Sequence, residues 1–128
     1  MFDKITEASL LYDFYGQLLT KKQQQVMMLY HEENLSLSEI AAEFGISRQG
    51  IHDTLKNAEK ALAEYENKLG LVGEFLKSKN AFQKIDHEID VLVVENQCNG
   101  ELVNRLTTIK NIISELEEWI YGIWKFIR

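Results

Sequence analysis

Apolar residues recur at helical spacing along nearly the whole chain, and the polar residues between them mark where one helix stops and the next begins. Ile5, Ala8, Leu11, Tyr12, Tyr15, Leu18 and Leu19 give a broad apolar face and predict a first helix over residues 2–19. Gly16 is a local weakness near its last turns. Thr20 with Gln23 three residues on is a capping box that starts a second helix. Its buried side is Val26, Met27, Leu29 and Tyr30, and its wet side Lys21, Lys22, Gln23 and Gln24. His31-Glu32-Glu33-Asn34 follows as a polar connection.

The stretch 35–63 organises the rest and reads as helix, tight turn, helix. Ser36 and Glu39 form a second capping box, Gly45 supplies the left-handed conformation that ends the short helix, and Ser47 caps a longer one from Arg48. Leu37, Ile40, Ala41, Phe44, Ile46, Ile51 and Leu55 give two crossing helices a shared core, with Ala41 and Ala42 small at the close approach. Ser38, Arg48, Gln49, His52, Asp53 and Lys56 are left facing out. This is a helix-turn-helix whose second helix suits a major groove, and the two earlier helices brace it into a bundle of about four.

Beyond the motif, Ile51, Leu55, Ala58, Leu62, Tyr65 and Leu69 alternate in steps of four and three, the coiled-coil spacing. Gly70 and Gly73 interrupt it, which divides the chain into a bundle over 1–70 and a helical hairpin over 71–128. In the hairpin Leu71, Phe75, Phe82, Ile85, Ile89 and Leu92 share one register, with Ser78 interrupting. Asn99-Gly100 is the expected reversal, and Leu102, Leu106, Ile109, Ile113, Leu116, Ile120, Ile123 and Ile127 form the returning stripe. At ~1.5 Å per residue the last helix is roughly 40 Å long. Two helices alone bury too little apolar surface to be stable, so the hairpin is expected to pack on the bundle or on another subunit, with a homodimer the economical solution. Trp119, Trp124 and Phe126, with Lys125 and Arg128, end the chain. Burial in a helical seam is the plainer reading of that segment, and a membrane surface or a partner protein the sharper one.

Composition narrows this to an all-α protein: there is no proline, and the 45% apolar share is ordinary for a folded domain. One cysteine, Cys98, permits no intramolecular disulfide and no cysteine-rich zinc site, which suits a reducing cytoplasm. Asp3, Lys4 and Glu7 argue against a signal peptide, and no apolar run approaches the ~20 residues that span a bilayer, so stable membrane insertion is not expected. The net charge of −6 complicates the picture. Residues 20–70 hold six Lys/Arg against eight Asp/Glu, whereas DNA affinity comes largely from cations meeting phosphates.

The run LYDFYGQLLTKKQQQVMMLYHEENLSLSEIAAEFGISRQGIHDTLKNAEKALAEYENKL resembles the bacterial YlxM family, small helix-turn-helix proteins similar to region 4 of sigma factors. DFY, LLT-K-Q, LSLSEIA, FGISRQGI and the following K-x-x-E-K fall in order over about residues 10–70. Members are typically encoded beside the signal recognition particle GTPase gene. The resemblance therefore implies a regulatory or accessory role in that pathway, with its components as partners. A sigma recognition helix usually bears more Arg and Lys beyond its first turn than the Arg48, Lys56 and Lys60 found here. With 128 residues there is no room for the other domains of a full sigma factor, which is not expected.

Candidate contacts to duplex DNA are Arg48, Gln49, His52, Lys56, Lys60 and Ser38. Arg can bind guanine through two bonds and Gln adenine. Plain solvation of a helix start is the alternative for Arg48 and Gln49. Asp53 is expected to hinder phosphates or to pair with Lys56, and capping alone explains Ser36 and Ser47. His31, His52, His87 and Cys98 share no ligand spacing, and Asp86, His87 and Asp90 fit a charged outer face better than a metal site. Glu115, Glu117 and Glu118 likewise read as a solvated face. No phosphate loop, nucleophile elbow or triad pattern is present, so neither catalysis nor a cofactor is expected.

Overall fold

Side-chain caps set four of the helix starts, at Thr20, Ser36, Ser47 and Asn99. The structure is a computed structural model that describes the backbone of residues 4–126 and the side chains of residues 7–122. Over that range it forms six α-helices and one 3-10 turn: α1 (Lys4–Tyr15), the turn Gly16–Leu18, α2 (Lys21–His31), α3 (Leu37–Phe44), α4 (Arg48–Leu69), α5 (Leu71–Glu95) and α6 (Gly100–Phe126). The fold is all-α. Phe2, Ile5, Ile123, Trp124, Lys125, Phe126, Ile127 and Arg128, which the sequence assigned to apolar faces or to a partner-facing end, lie outside the described side chains.

The first helix is shorter than its apolar pattern implies. The chain leaves α1 at Tyr15, and Gly16 is buried so tightly that an added Cβ would come within 3.1 Å of the Tyr12 ring. The Gln24 amide donates to the carbonyls of Gly16 and Leu19, satisfying groups the broken helix leaves open. As a result Leu19 is buried while Leu18, expected beside it, is exposed. The capping box of α2 forms as the sequence implies, with Thr20 and Gln23 exchanging side-chain and backbone bonds. Tyr30, expected on the buried side of α2 with Val26 and Met27, is instead exposed. Asn34 takes a left-handed conformation in the connection to α3, and the Leu35 amide donates to the Leu29 carbonyl.

By chain contacts there are two units, Met1–Val72 and Gly73–Ile127. In the first, α4 is the central element and packs against α1, α2 and α3. Tyr15, Val26, Met27, Ile40, Ile51, Ala58 and Leu62 are at most 2% exposed. Full burial of a Val, Leu, Ile or Met side chain stabilises by about 1.5–3 kcal/mol, so Val26, Met27, Ile40, Ile51 and Leu62 contribute strongly to this core. The four-three stripe of α4 is consumed here: Ile51, Leu55, Ala58 and Leu62 are buried within the bundle, whereas Leu69 at the end of the stripe is exposed. The coiled-coil spacing is thus a bundle seam. Ala41 is buried at the α3 contact, but Ala42, expected with it, is exposed.

Gly70, at φ +64°, ends α4 and turns the chain into α5. The first amides of α5 are held from within the first unit. Tyr15 accepts from the Leu71 N–H at 3.0 Å and donates to Glu66 Oε1, which also accepts from the Val72 N–H at 3.0 Å. Val72 is buried, so the first turn of α5 belongs to this core.

In the second unit α5 and α6 form an antiparallel hairpin within one chain. Asn99 caps α6 by accepting from the Leu102 N–H at 3.1 Å. Lys110 on α6 donates to Asp90 on α5 at 2.6 Å and lies 3.7 Å from Asp86. Asp86 and Asp90, read from the sequence as an outer charged face, therefore pair across the hairpin. Further along, the rings of Phe75 and Tyr121 lie 5.9 Å apart. Among the described residues of the second unit only Ile89 and Leu106 are buried, while Ile85, Leu92, Ile109, Ile112, Leu116 and Trp119 are exposed.

Candidate nucleic-acid interface

The helix-turn-helix is built by short-range bonds that leave one flank of α4 open. In α3, Ser36 accepts from the Glu39 N–H at 3.1 Å and the Glu39 carboxylate accepts from the Ser36 N–H at 3.2 Å. Gly45 adopts φ +67°, and its amide and that of Ile46 both return to the Ala41 carbonyl. A residue with a Cβ would be strained there, which is why glycine ends this helix. Ser47 then caps α4 by accepting from the Gly50 N–H at 3.0 Å. Ile40 and Ile51, both fully buried, lock the two helices across the turn.

Arg48, Gln49, Lys56 and Lys60 are exposed on α4, and Ser38 is exposed on the first turn of α3. His52 is half-exposed. His52, Lys56 and Lys60 follow at intervals of four and so form a row along one flank. Thr54 turns back on its own helix and donates to the Gly50 carbonyl at 2.9 Å.

Two of the exposed side chains are already joined. The Gln49 amide nitrogen donates to Asp53 Oδ1 at 2.9 Å, one helical turn on. His52 Nδ1 lies 3.7 Å from the same oxygen, is shielded from solvent and has no hydrogen-bond partner. The sequence offered Lys56 as the partner of Asp53. Among the described residues Asp53 instead takes Gln49 and adjoins His52, because Gln at i and Asp at i+4 meet on the helix surface. The spacing of Gln49 and Asp53 was the available signal for this bond.

No group of three or more His, Cys, Asp or Glu among the described residues could hold a metal ion. A cavity of about 760 Å³ in the first unit is floored by Leu11, Met27 and Leu62 and edged by Glu7 and Glu59. No helix among the described residues is long and apolar enough to cross a membrane.

Comparison with known proteins agrees with this geometry. Residues 2–99 match the model of a family designated UPF0122 and described as "Putative helix-turn-helix protein, YlxM / p13 like". A UPF0122 protein of Acetivibrio thermocellus is 40% identical over 116 residues, covering 91% of this chain and 96% of the relative. One from Desulforamulus reducens is 39% identical over 110 residues, covering 86% and 90%. One from Listeria innocua is 37% identical over 112 residues, covering 88% and 99%. With the capped turn, the open flank of α4 and these matches over most of its length, the chain belongs to the UPF0122 family of YlxM/p13-like helix-turn-helix proteins.

Proposed function

We propose that this protein is a DNA-binding regulator that lays α4 in a major groove. Arg48, Gln49, His52, Lys56 and Lys60 would contact bases and phosphates, and Ser38 on α3 the backbone beside them. The observation that carries this reading is the doubly capped α3–α4 turn, which leaves the first turns of a 22-residue helix open to solvent while its opposite side is buried. Of the four cations on α4, the three assigned to the groove, Arg48, Lys56 and Lys60, imply a modest electrostatic contribution. The logarithm of the affinity for duplex DNA should fall against the logarithm of salt concentration with a slope of about −3 from this helix alone. Arg48→Ala with Lys56→Ala should lower the affinity and flatten the slope by about 2, with the helical circular-dichroism signal unchanged. Salt-insensitive binding, or full affinity in the double variant, would remove the groove assignment.

A second reading is favoured by the charge. A net charge of −6, with Asp53 on the groove-facing flank, suits a module that grips a protein or ribonucleoprotein. The YlxM resemblance makes the signal recognition particle GTPase, or its RNA, the partner in that case. Saturable binding to either, with no salt-dependent DNA binding, would select this reading.

The hairpin is proposed as the assembly element, covering its exposed apolar residues with those of a second copy. The supporting observation is that, beyond Val72, the described hairpin buries only Ile89 and Leu106 among its many large apolar side chains.

A further inference from the structure

Asp53 is the only acidic side chain in the first two turns of α4, on the flank proposed to face DNA, and its own side chain is 62% exposed. A carboxylate there repels phosphates and lowers affinity. Its hydrogen bond to Gln49 indicates what it does instead.

A carboxylate can only accept, so the Gln49 atom 2.9 Å from Asp53 Oδ1 is the amide nitrogen on chemical grounds. That bond uses one of the two amide hydrogens and fixes which way the planar group points. When the hydrogen given to Asp53 is the one anti to Oε1, the other N–H and Oε1 are left side by side. Together they complement the N7 acceptor and N6 donor that adenine presents in the major groove. Guanine presents acceptors at both N7 and O6. A glutamine free to turn could offer both amide hydrogens to that pair. With one hydrogen committed to Asp53, Oε1 would instead face an acceptor.

We propose that Asp53 is a positioning residue for base recognition, holding the Gln49 amide so that it accepts adenine and rejects guanine at one position of the site. The inference rests on the DNA reading above. It gives the carboxylate a role that works through specificity, by weakening the competitor and not by adding affinity.

The test is to select from a library of randomised duplexes with the full-length protein at fixed salt, comparing the wild type with Gln49→Ala, Asp53→Ala and Asp53→Asn. Wild-type protein should prefer adenine over guanine at one position, and Gln49→Ala should abolish that preference. Asp53→Ala should bind duplex DNA at least as tightly as wild type, yet lose about fivefold or more of the discrimination. Asp53→Asn should also bind at least as tightly but keep the preference, because the asparagine carbonyl can still accept from Gln49. The exposed position makes misfolding of these variants easy to check by circular dichroism. Retention of the adenine preference in Asp53→Ala, or in Gln49→Ala, would overturn the inference and leave the DNA reading standing. Loss of the preference in Asp53→Asn as well would overturn the hydrogen-bonding role. An absence of salt-sensitive duplex binding in all four proteins would overturn the inference together with the DNA reading.

Discussion

The Tyr15 hydroxyl accepts from the Leu71 amide while donating to Glu66, and Glu66 in turn accepts from Val72. These bonds satisfy amides at the start of α5 that no helical carbonyl can reach. Tyr15→Phe removes the hydroxyl at a site only 1% exposed, and should destabilise the protein by about 1–3 kcal/mol in urea unfolding. The same environment has a pH consequence. Burial first, then the hydrogen bond to Glu66, pushes the Tyr15 phenol up from 10.0 to about 12. A raised pKa favours the folded state while the group is protonated. This contribution is therefore complete below pH 10 and is lost as pH rises through about 12. Absorbance titration of tyrosinate should show a late step that Tyr15→Phe removes. Glycines offer a second contrast. Gly45→Ala forces a side chain into φ +67° and should cost about 1 kcal/mol, whereas Gly122→Ala, in open space on α6, should stabilise by up to about 1 kcal/mol.

Among the elements, α4 shows why a periodic stripe and a packed seam are different things. Its six apolar positions share one spacing, yet Leu62 is 1% exposed and Leu69 is 54% exposed. Leu62→Ala should therefore cost about 2–5 kcal/mol, and Leu69→Ala no more than about 0.5 kcal/mol. Equal costs, measured by denaturant unfolding, would contradict the division of the helix into a buried and an open part. The turn from α3 to α4 was legible because each of its determinants acts within three or four residues. Ser36 with Glu39, Gly45 and Ser47 need no distant partner to fix where helices begin and end. The end of α1 was not legible, because it depends on the Tyr12 ring against Gly16 and on the Gln24 amide reaching back from α2.

For the whole molecule, the contrast between its two units is one of burial. The first unit fills its interior with large side chains, while the described hairpin leaves Ile109, Ile112, Leu116 and Trp119 exposed on α6. The proposed homodimer predicts concentration-dependent sedimentation of the wild-type chain, and a monomer once Ile112→Lys and Leu116→Lys are combined. Unaltered dimerisation in that variant would place the interface elsewhere. The hairpin itself holds together partly through Lys110, whose ammonium is drawn above its ordinary pKa mainly by the hydrogen bond to Asp90.

What the sequence by itself determined were the features whose causes are local. Capping boxes, left-handed glycines and a 3.6-residue apolar period specify which segments are helical and how α3 turns into α4, since the interacting groups lie within one helical turn. The open flank carrying Arg48, Gln49, Lys56 and Lys60 follows from the same period. Tertiary structure alone decided what covers each apolar face, because periodicity marks a face without naming its neighbour. Thus Leu62 found a core and Leu69 did not, and Tyr15 reached across 56 residues to the first amide of α5. It also chose between partners that spacing left open. Asp53 lies within reach of side chains on either side along α4, and the side-chain geometry directs Gln49 to it.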